Sequence, residues 1–214
     1  MSDLHPSFDR LVIASANAGK CREVQQLLAD LDIELLPRSQ WNIPSPCETG
    51  LTFVENAILK ARHAAACTGL PALADDSGLI VEALNGAPGV HSARFAGSHA
   101  TCGDNICKLL QQLKGVCASK RRAQLHCTLA LCRYPADPNP LLAHGSWEGS
   151  ILASPQGNGG FGYDQVFYVK THDCSAAQLD PAEKNRLSHR GMAFQKLRKS
   201  LAQLVRLPHK VATP

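Results

Sequence analysis

The 214 residues contain no apolar run that approaches the roughly 18 needed to span a membrane. The first ten residues, broken up by Asp3, His5, Pro6 and Asp9, also lack the apolar core of a secretory leader. A cytoplasmic protein with no membrane partner is therefore expected. No Cys-x-x-Cys occurs among the nine cysteines (Cys21, Cys47, Cys67, Cys102, Cys107, Cys117, Cys127, Cys132 and Cys174), and their number is odd. Cys102/Cys107 and Cys127/Cys132 are each five apart without a matching histidine pair, so neither a zinc site nor a disulfide framework is legible. Reduced, mostly buried thiols are expected instead. Aromatic residues make up only 5% of the chain, and none is interleaved with the densest basic run, Lys120-Arg121-Arg122. A groove that tracks single-stranded nucleic acid needs both features together. With a net charge of +4, the run reads as a solvated loop and no stable nucleic-acid partner is expected. There is no internal repeat and no low-complexity linker, so the chain reads as one domain over 1–214 with its core over about 10–205.

What is present is organised around Pro71-Ala-Leu-Ala-Asp-Asp-Ser-Gly78. Pro71 to Ala74 has the length and boundaries of a buried strand, which is expected to stop at Asp75, Asp76 and Ser77. Two carboxylates side by side at a strand end raise each other's pKa and are costly to desolvate. They call for a cation, a hydrogen-bond network or open water. A divalent metal is one reading and a solvated Asp-Asp-Ser-Gly turn the other, and the tetrapeptide alone leaves both open.

Residues 10 to 15 read as a first buried strand that runs into Ser15, Ala16, Asn17, Ala18, Gly19 and Lys20. A helix follows, with Val24, Leu27, Leu28 and Leu31 on one apolar face. In a strand, small-residue turn and helix, the first helical amides can face an anion, and Lys20 would add a full positive charge. This is no P-loop, because Ala14 stands where the first glycine belongs and Cys21 replaces the Ser or Thr. An ordinary βα turn explains the same residues. Ile33 to Leu36 is a second strand candidate, and the loop from Pro37 to Gly50 carries Glu48. Thr52-Phe-Val-Glu55 has capping-box form and opens a helix with Val54, Ala57, Ile58 and Ala61 inward. Thr52, Asn56 and Lys60 recur every fourth residue on another face, which by itself reads as solvated.

Further on, Leu79 to Leu84 should stay extended and Gly86-Ala-Pro-Gly89 should turn tightly towards Ser92-Ala-Arg94. A third helix is expected over about 101 to 114, with Ile106, Leu109, Leu110 and Leu113 inward, then strands over Ala123 to Tyr134 and Leu141 to Leu152. Gln156 to Asp164 is the most glycine-dense segment. Its glycines permit close backbone approach, and Phe161 and Tyr163 offer faces to a planar base. A mobile loop is the alternative, although a strand over Val166 to Val169 would anchor it at a sheet end, where ligands bind in α/β proteins. Asp180-Pro181 opens a short helix carrying Lys184, and Ser188 caps a terminal helix with Phe194, Leu197, Leu201, Leu204 and Val205 inward. His189 and Arg190 at the start of that helix oppose its dipole, which favours an anionic or acceptor-rich partner.

Six segments, in order, resemble the inosine triphosphate pyrophosphatase family in its bacterial, RdgB-like form. They are Ser15 to Lys20, Glu48 to Ala57, Ala74 to Gly78, Gly86 to Gly89 with Ser92 to Arg94, Gly160 to Asp164, and Ser188 to Arg190. The resemblance implies an α/β fold: a mixed twisted sheet with flanking helices and two lobes around a central nucleotide-binding cleft. It also implies hydrolysis of ITP, dITP and XTP to the monophosphate and pyrophosphate, with Mg²⁺, in a homodimer. Carried over by position, Ser15, Ala16, Asn17, Ala18, Gly19 and Lys20 would bind the triphosphate, with Lys60 reaching it from the second helix. Glu48 and Asp76 would hold the metal, Asp76 would accept the proton, and Ser77 would touch the substrate. Phe161, Gly162, Tyr163, Asp164, Lys184, His189 and Arg190 would surround the base. Two departures stand out: Ser15-Ala16 where Thr-Gly is common, and Cys47 at a position often acidic, which leaves Glu48 alone in its loop. Preference for another triphosphate, such as a modified pyrimidine, is the neighbouring alternative, and a nucleic-acid-binding module the more distant one.

Overall fold

Among the described residues, seven strands form a single sheet: β1 (Arg10–Ile13), β2 (Glu34–Pro37), β3 (Ala72–Val81), β4 (Arg122–Cys132), β5 (Leu141–Ile151), β6 (Phe167–Val169) and β7 (Cys174–Ser175). The computed structural model describes residues 9–205 apart from 16, 30–32 and 42, with the backbone alone at 18 and 202–205. The strand order is β2-β1-β3-β4-β5-β6-β7. β1 runs parallel to β2 and β3, and all later pairings are antiparallel, so the sheet is mixed as expected. The helices are α1 (Ala18–Leu27), α2 (Phe53–Thr68), α3 (Cys102–Gln112), α4 (Pro181–Leu187) and α5 (His189–Val205).

Local chemistry explains where the helices begin. Thr52 and Glu55 exchange both halves of a capping box at α2, and Thr101 and Asp104 do the same at α3. Asp180 caps α4 with Pro181 in its first turn, and Ser188 Oγ accepts the Gly191 N–H at the start of α5. Gly69, at φ 69°, ends α2 in the left-handed region.

Alternation along the strands sorts the interior by face. Leu11, Ile13, Leu73, Leu129 and Leu131 pack under Phe194, Leu197 and Leu201 of α5 and Val24 of α1. Val12, Ala72, Ala74, Ala130 and Cys132 face the small side chains Ala57, Ala61, Ala64 and Ala65 of α2, which lets that helix lie close to the sheet. A separate core of Leu79, Val81, Leu125, Trp147 and Phe167 takes Ile106, Leu109 and Leu113 from α3. β3 contributes to all three cores. Its polar interval, Asp75 to Gly78, therefore falls on the seam between the α1/α2/α5 lobe and the α3 lobe.

Four expectations change. The strand does not stop at Asp75: β3 continues to Val81 because β4 pairs with it from Ala72↔Cys132 to Val81↔Ala123 and satisfies its backbone. What stops there is the parallel partner, whose register ends at Ile13↔Leu73. The extended stretch is also shorter than expected, since Glu82–Leu84 coils into a 3₁₀ turn. All nine thiols are free, but Cys47, Cys67, Cys102, Cys107 and Cys117 are exposed, so they are not mostly buried. Finally, Arg121 is no solvated loop residue. It donates to the carbonyls of Val116, Leu152 and Leu113, closing the end of α3 onto the β5 exit. Ala16, Leu31 and the side chains of Leu204 and Val205 lie outside the described residues.

Candidate active site

Asp75 and Asp76 are successive residues of a strand, so their side chains leave opposite faces of the sheet and meet different partners. Asp75 turns towards α1 and α5. Its Oδ2 lies 2.7 Å from Lys20 Nζ and 3.7 Å from Arg190 Nη2, and it accepts the Ser77 hydroxyl at 2.8 Å. Asp76 turns towards α2, where Lys60 Nζ donates to Asp76 Oδ1 at 2.6 Å and to Glu48 Oε1 at 3.3 Å. Arg94 Nη1 holds the other Glu48 oxygen at 2.5 Å.

These surroundings drive the two neighbouring carboxylates apart. Burial would raise Asp75, but Lys20, Arg190 and Lys60 outweigh it and hold the acid well below the usual carboxylate range. At Asp76 burial dominates and raises the acid, with Lys60 only partly opposing it. Burial would likewise raise Glu48, but Arg94 and Lys60 keep it low. Lys60 remains a cation because Asp76 and Asp75 overcome its desolvation. Neighbouring titratable groups pushed in opposite directions are the pattern that acid–base sites use.

A cavity of about 310 Å³ opens on the Asp75 side of the seam, a volume at the lower end for small-molecule sites. Of the residues predicted from sequence, Asn17, Lys20 and Ser77 line one part of it. Phe161 to Asp164 of the glycine-rich loop, with Lys184, His189 and Arg190, line another. Lys60, Glu48 and Asp76 form a cluster beside the cavity rather than in its wall, joined to it electrically because Lys20 acts on both aspartates. In the first turn, Ser15 Oγ accepts the Asn17 N–H and Asn17 Oδ1 caps the Lys20 N–H, so these two amides are already engaged. Gly19 lets the Phe161 ring close in, since a Cβ there would sit 3.1 Å from Phe161 Cδ1.

The residues expected around the base form one network. Asp164 Oδ2 accepts from the Phe161 N–H at 2.7 Å and from Lys184 Nζ at 2.8 Å, which binds the loop to α4. At Gly160, φ is +72° and an added Cβ would lie 2.1 Å from that same oxygen, so only glycine fits. Lys184 Nζ and Arg190 Cζ stand 4.9 and 5.3 Å from the Phe161 ring centroid, within cation–π range. Phe161 stays half-buried, whereas Tyr163 is buried in the α3-side core with its hydroxyl donated to Ser92 O at 2.9 Å. Of the two aromatics, Phe161 is the one left to stack. His189 is buried, and burial, with Arg190, Lys184 and Lys20 nearby, depresses its pKa well below the usual histidine range, so the ring is neutral. Among the described residues, Asp76 Oδ2, His189 Nδ1 and Arg190 Nε are buried without a hydrogen-bond partner. A buried polar atom calls for a partner from water, an ion or a ligand, and three such atoms lie near this seam.

The sequence profile of the Ham1 family matches residues 11–200. The chain belongs to the Ham1 family. It is 52% identical over 194 residues to the dITP/XTP pyrophosphatase of Vibrio cholerae serotype O1, covering 91% of this chain and 97% of that protein. It is 55% identical over 190 residues to the dITP/XTP pyrophosphatase of Photobacterium profundum, covering 89% and 96%. Among solved structures, a HAM1 protein from Coxiella burnetii superposes with a TM-score of 0.85 at 52% identity, covering 91% of this chain and 98% of that one. The Staphylococcus aureus Ham1 protein gives 0.81 at 38% identity, covering 91% and 99%.

In this Ham1 chain several site residues escape sequence reasoning. Glu23, one turn beyond Lys20 on α1, accepts from both Lys184 at 3.3 Å and Arg190, and so joins α1 to α4 and α5. Its spacing from Lys20 was the available signal. Asn56 is fully buried rather than solvated, and its amide pairs with both the N–H and the carbonyl of Gly50, fastening the Glu48 loop to α2. Arg94 lies in a recognised motif, yet only the folded chain shows that it meets Glu48.

Proposed function

We propose that this Ham1 family chain hydrolyses deaminated purine nucleoside triphosphates (ITP, dITP and XTP) to the monophosphate and pyrophosphate, keeping them out of nucleic acids. The observation that carries the reading is a single cavity lined by Lys20, the Phe161 ring and a neutral histidine, His189, whose buried Nδ1 has no partner among the described residues. Relatives that share about half of its residues over nearly its whole length are named dITP/XTP pyrophosphatases.

In this reading Lys20 and Lys60 neutralise charge that builds up on the departing diphosphate as water attacks the α-phosphorus in line. Asp76 accepts the proton of that water. An aspartate near pKa ~4 is a weak base, and the burial that raises Asp76 makes it a better one. Glu48 and Asp76 fit a hard divalent cation such as Mg²⁺: both present carboxylate oxygens, Asp76 Oδ2 has no partner among the described residues, and Lys60 already bridges the pair as a resident cation. When bound there, Mg²⁺ would supply charge neutralisation and a more acidic water. Asp75 stays ionised and keeps Lys20 and Arg190 in place. His189 and Arg190 offer N–H donors to the C6 carbonyl of hypoxanthine or xanthine and would leave a buried group unpaired opposite the adenine amine. Such a mismatch can discriminate by about 10⁴ or more. A homodimer and a cytoplasmic location belong to the same reading, and light scattering tests the first.

A panel of nucleoside triphosphates assayed with Mg²⁺ for monophosphate and pyrophosphate tests the function directly. ITP, dITP and XTP should exceed ATP in kcat/KM by orders of magnitude, and release of orthophosphate instead of pyrophosphate would refute the proposed bond cleavage. His189→Ala should narrow the ITP to ATP ratio by about tenfold or more, the value of one lost hydrogen bond to a buried base. An unchanged ratio removes His189 from base selection.

A further inference from the structure

We infer that Arg94 is a positioning residue. It fixes the Glu48 carboxylate in the orientation in which that group, with Asp76, can hold a divalent cation. The inference rests on the function proposed above, and specifically on Glu48 as a cation ligand.

Glu48 lies in a segment of irregular backbone between the Arg38–Trp41 turn and α2, so no regular element aims its side chain. Asn56 and Arg94 set it in place, with Lys60 as a third and longer contact. Asn56 clamps the loop backbone at Gly50, with Gly50 N–H to Asn56 Oδ1 at 2.9 Å and Asn56 Nδ2 to Gly50 O at 3.2 Å. That clamp acts two residues beyond Glu48 and leaves its carboxylate free to rotate. Arg94 removes this freedom by donating to Glu48 Oε2 at 2.5 Å, while Oε1 faces Lys60 at 3.3 Å. Lys60 holds Asp76 more closely, at 2.6 Å, so it divides its hold between the two acids. Among the described residues Glu48 is the one acidic partner of Arg94.

Arg94 projects from a turn, Gly89–Arg94, that is itself secured. Ser92 Oγ accepts the Leu79 N–H at 2.8 Å and donates to Gly89 O at 2.6 Å, and Ser92 O accepts the Tyr163 hydroxyl at 2.9 Å. The guanidinium is thus referenced to β3, the strand that carries Asp76. Removing it would also take away a positive charge that repels a metal ion, but with a third of the Arg94 side chain exposed, solvent screening makes that gain small. Loss of an orienting partner to a metal ligand typically lowers affinity or activity by about 10- to 100-fold, so orientation wins.

The test is a titration of the full-length protein with Mn²⁺, read by electron paramagnetic resonance in the presence of α,β-methylene ITP, alongside the Mg²⁺ dependence of ITP turnover. Arg94→Gln should raise both cation midpoints by about 10- to 100-fold while leaving KM for ITP at saturating Mg²⁺ within about threefold. Arg94→Lys, which keeps one charged donor, should recover part of that loss. An unchanged midpoint in Arg94→Gln overturns the inference. So does a raised KM for ITP with an unchanged midpoint, which would make Arg94 a phosphate ligand. Glu48→Gln separates the two levels of the argument. If that variant also leaves the midpoints unchanged, Glu48 is no cation ligand and the underlying reading fails. If it raises them and Arg94→Gln does not, only the role given to Arg94 falls.

Discussion

Asp76→Asn is expected to lose turnover by about 10²- to 10⁴-fold, the contribution of a general base, and to keep its fold. The same change one residue earlier should do the reverse to stability. Asp76 has a folded pKa above its unfolded value, so its stabilising contribution is present below the unfolded pKa and is lost as pH rises through the folded one. At neutral pH burial opposes the ionised form and a neutral amide of the same shape relieves that cost, while Lys60 loses its nearest anion and keeps Glu48 at 3.3 Å, so the two effects offset and the fold is kept. Asp75 is depressed, so its contribution is present above the unfolded pKa and is lost as pH falls through the folded one. Asp75→Asn strips the half-buried Lys20 and the buried Arg190 of a shared anion, leaving Arg190 with Glu23. Breaking a buried pair in this way costs about 3 kcal/mol or more. Urea unfolding at pH 7 with a pyrophosphate-release assay separates the two variants. Near wild-type kcat in Asp76→Asn would remove Asp76 from the chemistry, and equal stability in both variants would contradict the partition of charge across β3.

Gly145→Ala should damage the protein more than any other single methyl addition on β5. A Cβ at that position would lie 1.9 Å from His189 O and 2.7 Å from Ala193 N, both backbone atoms of the first turns of α5. Backbone cannot swing aside, so the helix must shift, and His189 and Arg190 shift with it. Overpacking of this kind destabilises by about 3 kcal/mol. The ITP to ATP ratio should fall in the same variant, because the proposed base selection by His189 and Arg190 depends on where α5 begins. Gly103→Ala is the control: its nearest neighbour, Thr101 Oγ1, is 3.6 Å away inside α3, so it should be neutral or slightly stabilising. If Gly145→Ala unfolds at the same urea concentration as the control, the close approach of α5 to β5 is wrong.

The features legible in the residues were those governed by near neighbours. The capping box at Thr52, the Asp180-Pro181 helix start, Ala57 and Ala61 on the inward face of α2, and the inward faces of α3 and of α5 as far as Leu201 followed from spacings of three and four, which the helix imposes wherever it forms. The first strand and its small-residue turn were legible for the same reason. Where polar residues interrupted an apolar run, the reading failed: Asp75 to Gly78 looked like the end of a strand, yet β4 supplies hydrogen bonds across the whole interval. No local rule could anticipate a partner some fifty residues away.

Chain order alone determined which side chains this protein has available for nucleotide chemistry: a lysine in the first turn, adjacent aspartates, a glycine-dense loop and a His-Arg pair opening the last helix. The tertiary structure decided how they divide the work. It sent Asp75 and Asp76 to opposite faces of one strand, brought Arg94 to Glu48 and Glu23 to Lys184, and seated α5 on Gly145. Those outcomes depend on burial and on charges that meet only after strands pair and helices dock, because desolvation and Coulomb attraction act through space and not along the chain.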